Sequence, residues 1–115
     1  MPLETPVVFV RWEQFAGWLL VRTAKFPRRV AFTFRTRIDN LALDVLEHLL
    51  EARYTRDRAG LLRQVNLDLE KMRLLLRLCC EQAVIDKKAF HFACAELLEV
   101  GRMIGGWLRS SAEAR

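Results

Sequence analysis

The chain has 115 residues, 52% of them hydrophobic, and carries 19 Lys+Arg against 14 Asp+Glu, a formal charge of +5. That length suits one domain, residues 1–115, with a real core. No run approaches the ~18–20 apolar residues of a membrane span, and three cysteines, with Cys79 beside Cys80 and Cys94 apart, match neither a disulfide framework nor C-x-x-C metal spacing.

The N-terminal "MPLETPVVFVRWEQ" lacks a basic start, and its apolar run is broken at Arg11 and Glu13, which argues against a signal peptide. The expectation is a cytoplasmic protein with buried, reduced thiols. Thr5-Pro6 has the form of an N-cap followed by proline at the first helical position. Val8, Trp12, Phe15 and Leu19 then recur at the spacing of one helix face, and Pro27 ends this helix around Lys25. The segment "FPRRVAFTF" is ambiguous, and helix two starts between Arg29 and Thr33. Its stripe is Ile38, Leu41, Val45, Leu49 and Ala52.

A polar turn follows at Thr55 to Gly60. Helix three carries Leu62, Val65, Leu69, Met72 and Leu76 on one stripe, with a second apolar row at Leu74, Leu75 and Leu78. Asp86 caps helix four, whose stripe is Phe90, Ala93, Leu97, Val100, Ile104 and Trp107. Nothing alternates with period two. Short connections force sequential helices to pack side by side, so the predicted fold is an all-α, antiparallel up-down four-helix bundle.

Three glycines interrupt the last helix at Gly101, Gly105 and Gly106, each costing roughly 1 kcal/mol relative to alanine. They serve either internal packing or a subunit or partner contact. The reading adopted is a close internal contact at Gly101 and Gly105, with Trp107 and Leu108 nearer an assembly surface.

Arginine supplies 15 of the 19 basic residues. Its planar fork binds phosphate or carboxylate, which leans toward an anionic partner. Arg63, Asn66, Glu70, Arg73, Arg77 and Glu81 form one polar stripe on helix three. Lys25, Arg28, Arg29, Arg35 and Arg37 form a second group, interleaved with Phe26, Phe32 and Phe34, which either stack single-stranded bases or belong to the core or an interface. Arg53, Arg56 and Arg58 form a third.

Enzyme chemistry finds no constellation. A di-iron bundle wants Glu-x-x-His on two helices, and neither His48 nor His91 has Glu three residues earlier. Asp44 and His48 lack further metal ligands. No metal or cofactor is expected.

The stretch "EVGRMIGGWLRS" (Glu99–Ser110) resembles the C-terminal signature of the four-helix-bundle family that includes the accessory variability determinant (Avd-like) proteins of diversity-generating retroelements and the proteins encoded in ribosomal RNA intervening sequences. "AKFPRRVAFTFRTRI" (Ala24–Ile38), "LLEARY" (Leu49–Tyr54) and "LDLEKMRLLLRL" (Leu67–Leu78) add to the resemblance. It implies a non-catalytic bundle that assembles into a ring-shaped homopentamer with a basic surface. In the retroelement branch the ring binds a reverse transcriptase and nucleic acid, RNA or DNA, during mutagenic reverse transcription. In the other branch the implied role is that of a structural or interaction homo-oligomer. Residues expected at the partner and nucleic-acid surface are Arg63, Arg73, Arg77, Arg28, Arg29, Arg35 and Arg37. Those expected in packing or assembly are Gly101, Gly105, Gly106 and Trp107.

Overall fold

Each apolar stripe becomes a helix whose inward face is the core. In the computed structural model, which describes residues 6–113, α1 spans Val7–Thr23, α2 Thr36–Tyr54, α3 Ala59–Glu81 and α4 Lys87–Glu113. The helices run up and down as an antiparallel four-helix bundle, 48 Å long and 20 Å across. Val8, Trp12, Phe15 and Leu19 of α1 are buried against Ile38, Val45, Leu49 and Ala52 of α2, the full first stripe of α3, and Ala93, Leu97, Val100 and Ile104 of α4. Leu41, Phe90 and Trp107 are half-buried and pack on the margin of that core. The second row on α3 is not a core row: Leu74 is exposed and Leu75 and Leu78 are half-buried.

Helix ends follow local chemistry. Pro6 stands one position before α1, not at its first turn, and its carbonyl accepts from the Phe9 N–H at 3.0 Å and the Val10 N–H at 3.3 Å. The expected Thr5 cap lies outside the described residues. α1 stops at Thr23, slightly before the expected Lys25, and the buried Thr23 hydroxyl donates to Asp39 Oδ1 at 2.5 Å, tying the end of α1 to the start of α2. Asp86 caps α4 as expected, its Oδ1 accepting from the Ala89 N–H at 2.7 Å. α3 closes through the Val84 N–H on the Cys79 carbonyl at 2.8 Å, which requires the left-handed φ of 59° at Ala83, a position usually held by glycine.

The ambiguous segment is neither loop nor plain α-helix. Pro27 precedes a 3-10 turn, Arg28–Val30, which runs into a π turn, Ala31–Arg35, before α2 begins. These changes in helix type disturb the regular pattern of carbonyl acceptance, and threonine hydroxyls step in. Thr33 Oγ1 donates to the Val30 carbonyl at 3.3 Å and Thr36 Oγ1 to the Ala31 carbonyl at 2.8 Å. The result splits the three phenylalanines. Phe26 is buried, Phe34 packs on the core margin, and Phe32 is 91% exposed.

The close internal contact expected at Gly101 and Gly105 is absent. A methyl carbon built on Gly101 would meet Leu69 Cδ1 at 3.8 Å, and one on Gly105 would meet Arg109 Nη1 at 3.5 Å, both ordinary contacts. At Gly101 the neighbouring helix presents a side chain, that of Leu69, and at Gly105 the nearest group is Arg109 of α4 itself. The thiol expectation also holds only in part: all three cysteines are free, but Cys79 alone is fully buried, while Cys80 and Cys94 are half-buried. No helix among the described residues is long and apolar enough to cross a membrane.

Candidate functional site

Arginine is distributed unevenly along the rod because successive helices reverse direction. The α1–α2 connection and the α3–α4 turn share one pole, while the α2–α3 turn and the end of α4 share the other. At a rise of 1.5 Å per residue, Arg63 and Arg77 lie about 21 Å apart along α3. The expected α3 stripe is therefore one row that serves two separate ends.

At the waist, arginines are neutralised by neighbours. Arg11 Nε donates to Glu96 Oε2 at 2.8 Å, bridging α1 to α4, and this hydrogen bond raises the Arg11 pKa above its ordinary value. Arg73 pairs with Glu70, and Arg102 with Glu99, each three residues back along the same helix. The hydrogen bond from Arg102 lowers the Glu99 pKa and raises that of Arg102. Of the expected partner residues, Arg73 thus brings no unbalanced charge.

The first pole gathers Arg28 and Arg29 of the 3-10 turn with Arg35, Arg37 and Arg77. Arg35 stands 3.8 Å from Asp39, whereas Arg28, Arg29, Arg37 and Arg77 form no ion pair among the described residues. Arg37 also shares the α2–α3 groove with Lys71, a cation that the sequence reading passed over. Phe32 projects into solvent within this arginine-rich segment. An exposed ring in an arginine-rich segment is suited to stacking on a base while the cations meet phosphates.

At the second pole the structure brings Arg63 together with Arg56 and Arg58 of the α2–α3 turn and Arg109 of α4. Sequence reasoning grouped Arg56 and Arg58 correctly at the turn but missed Arg109. The signal lay in topology: an up-down bundle returns the end of its fourth helix to the connection between the second and third. Trp107 lies there too, its ring beneath the Arg58 guanidinium at 5.4 Å.

Among the described residues, no group of three or more His, Cys, Asp or Glu side chains could hold a metal ion. His48 Nδ1 stands 4.0 Å from the buried Asp68 carboxylate, which also accepts from Gln64 Nε2 at 2.9 Å and lies 3.8 Å from Lys71. Asp68 is a polar anchor at the core margin, with its charge met by its own helix.

A family model described as bAvd-like matches residues 7–111, nearly the whole chain. No curated protein and no solved structure matches it.

Proposed function

The chain belongs to the bAvd-like family, and on that membership we propose that it is a non-catalytic, cytoplasmic accessory subunit of a diversity-generating retroelement. In this reading it assembles as a homopentamer and binds the reverse transcriptase and a nucleic-acid strand, template RNA or cDNA, during mutagenic reverse transcription. The observation that supports the nucleic-acid part is that Arg28, Arg29, Arg37 and Arg77, which form no ion pair among the described residues, all lie toward the pole where Phe32 is exposed.

Single-stranded RNA binding followed across a salt series tests this. The logarithm of the affinity should fall linearly with the logarithm of salt, with a slope of about 0.7 per phosphate contact, and Arg28→Ala with Arg29→Ala should remove up to two such increments. Co-purification with a reverse transcriptase encoded beside this gene tests the other partner. Absence of binding even at low salt removes the nucleic-acid role.

A second reading is a structural homo-oligomer like the proteins of ribosomal RNA intervening sequences. It is favoured by Leu98, which is 75% exposed on α4. An assembly that forms without affinity for either RNA or a reverse transcriptase selects this reading.

A further inference from the structure

The glycine-rich end of α4 and the α2–α3 turn together enclose a recess of about 300 Å³. Its walls include Arg56, Arg58, Arg63 and Arg109, with Leu108 and Ser111 between them. None of its described lining residues is acidic, and Asp57, the one acid of the turn, is not among them. Three other grooves differ on this point: Glu70 and Glu99 line one between α3 and α4, Glu96 one between α1 and α4, and Asp44 one between α2 and α3.

Two of the four arginines are held in place by neighbours that are not acids. Arg58 Nε donates to the Thr55 carbonyl at 3.0 Å while its guanidinium rests over the Trp107 ring. Arg109 lies over the bare backbone of α4: carbons built on Gly105 and Gly106 would stand 3.5 Å from its Nη1 and 3.9 Å from its Nη2. Residues Gly105 to Arg109 thus seat one guanidinium, brace a second with an indole, and bring both to the turn. Among residues 6–112, Arg56, Arg63 and Arg109 form no ion pair.

Cations crowded around a concave space repel one another and raise the local concentration of anions. Arginine's fork matches phosphate oxygens in bidentate fashion. At ~30 Å³ per water, the recess has room for about ten waters, ample for a phosphate group and an adjoining sugar. We propose that this recess is a phosphate-binding site, and that its occupant is a backbone phosphate of a single nucleic-acid strand. The first statement stands on the recess alone; the second rests on the nucleic-acid role proposed above.

The experiment titrates inorganic phosphate into the full chain at constant ionic strength and follows the amide resonances of Gly105 and Gly106 and the Arg58 Nε–H resonance. Saturable shifts are expected, weakened at least tenfold in Arg56→Gln/Arg109→Gln and unchanged in Arg102→Gln, whose guanidinium is paired at the waist. Arg109→Lys keeps the charge but loses the fork, so it should fall between. The helical circular dichroism of each variant must match the parent. Shifts that do not saturate, or that are the same in all variants, overturn the site.

An oligonucleotide without terminal phosphates is then added. Displacement of inorganic phosphate from the same resonances is expected, and the double variant should lose about 0.7 of salt slope per contact removed. If the recess takes inorganic phosphate but the oligonucleotide leaves it untouched, a free phosphate or phosphomonoester is the occupant and the strand assignment fails. If the oligonucleotide binds nowhere on the protein, the nucleic-acid role falls while the phosphate site stands.

Discussion

Trp12 of α1 donates its indole N–H to the backbone carbonyl of Ala42 on α2 at 2.9 Å, with both residues fully buried. The bond satisfies the one polar atom of the largest side chain in the core and fixes the register of the first helix pair. Trp12→Phe removes the donor and leaves a void. A lost hydrogen bond of about 1 kcal/mol adds to the cost of a small cavity, so the substitution should destabilise the fold by about 1–3 kcal/mol in urea unfolding. A smaller loss would mean that neighbouring side chains close the space.

Trp12 also illustrates what could be read before the fold was seen. Its place on the stripe of Val8, Phe15 and Leu19 follows from the helical repeat alone, because burial of one face imposes that period. The same logic located Ile38, Met72 and Ile104. It could not resolve residues 28–35, where an extra residue per turn rotates Phe32 outward and Phe34 inward, since a change of helix type breaks the period being read. Charge was harder still. The period put Arg73 and Arg77 on one stripe, but the rotamer that joins Arg73 to Glu70 belongs to the folded surface. Arg109 was invisible for another reason: its neighbours Arg56 and Arg58 are half the chain away and meet it only through the topology.

The pairing at α3 has a measurable consequence. Arg77 forms no ion pair among the described residues, whereas Arg73 is already met by Glu70. If the first pole contacts phosphates, Arg77→Ala should lower the salt slope by about 0.7–0.9, the increment for one contact. Arg73→Ala should change it little, and the double variant should resemble Arg77→Ala. Equal effects from the two single variants would show that Glu70 releases Arg73 when the ligand binds.

Phe32 tests stacking apart from charge. With 91% of its surface exposed, it contributes little to folding, and Phe32→Ala should alter stability by no more than about 0.5 kcal/mol. A base stacked on the ring is worth about 1–3 kcal/mol, so single-strand affinity should fall roughly 5- to 150-fold at fixed salt with no change in the salt slope. Phe32→Trp should preserve binding. Unchanged affinity in Phe32→Ala would assign the exposed ring to a protein contact instead.

Burial, aided by neighbouring Cys80, pushes the Cys79 thiol from its ordinary 9.0 up to about 11. Burial also raises Cys94, against the opposing pull of Arg73. Only the thiolate attacks a thiol reagent, so at pH 8 the half-buried Cys80 and Cys94 should be labelled well before Cys79, in an order read by peptide mass mapping. The sign of the stability effect follows from the same shift. Between pH 9 and about 11 the unfolded chain releases a proton that folded Cys79 retains, so this contribution is whole below pH 9 and is lost as pH rises through about 11. Cys79→Ser should flatten that alkaline decline, and early labelling of Cys79 would place it at an accessible surface.

Two glycines separate helix propensity from assembly. Gly17 lies exposed on α1, and a methyl there would meet nothing within 4 Å. Gly17→Ala should therefore stabilise the protein by about 0.5–1 kcal/mol, the ordinary gain of alanine over glycine in a helix. Gly101 has similar freedom within its own chain, with Leu69 Cδ1 at a relaxed 3.8 Å, yet it sits on α4 near Leu98, whose side chain is 75% exposed. If that face packs on a second copy, the added methyl meets a neighbour across the interface, where overpacking typically costs about 1–3 kcal/mol and reverses the sign. The expected pair of results is a higher melting temperature for Gly17→Ala and, for Gly101→Ala, a shift toward monomer in sedimentation with stability that now depends on protein concentration. Should Gly101→Ala stabilise as much as Gly17→Ala and remain fully assembled, Gly101 serves no packing role in either setting, and the role of the α4 glycines would be confined to Gly105 and Gly106, which seat Arg109.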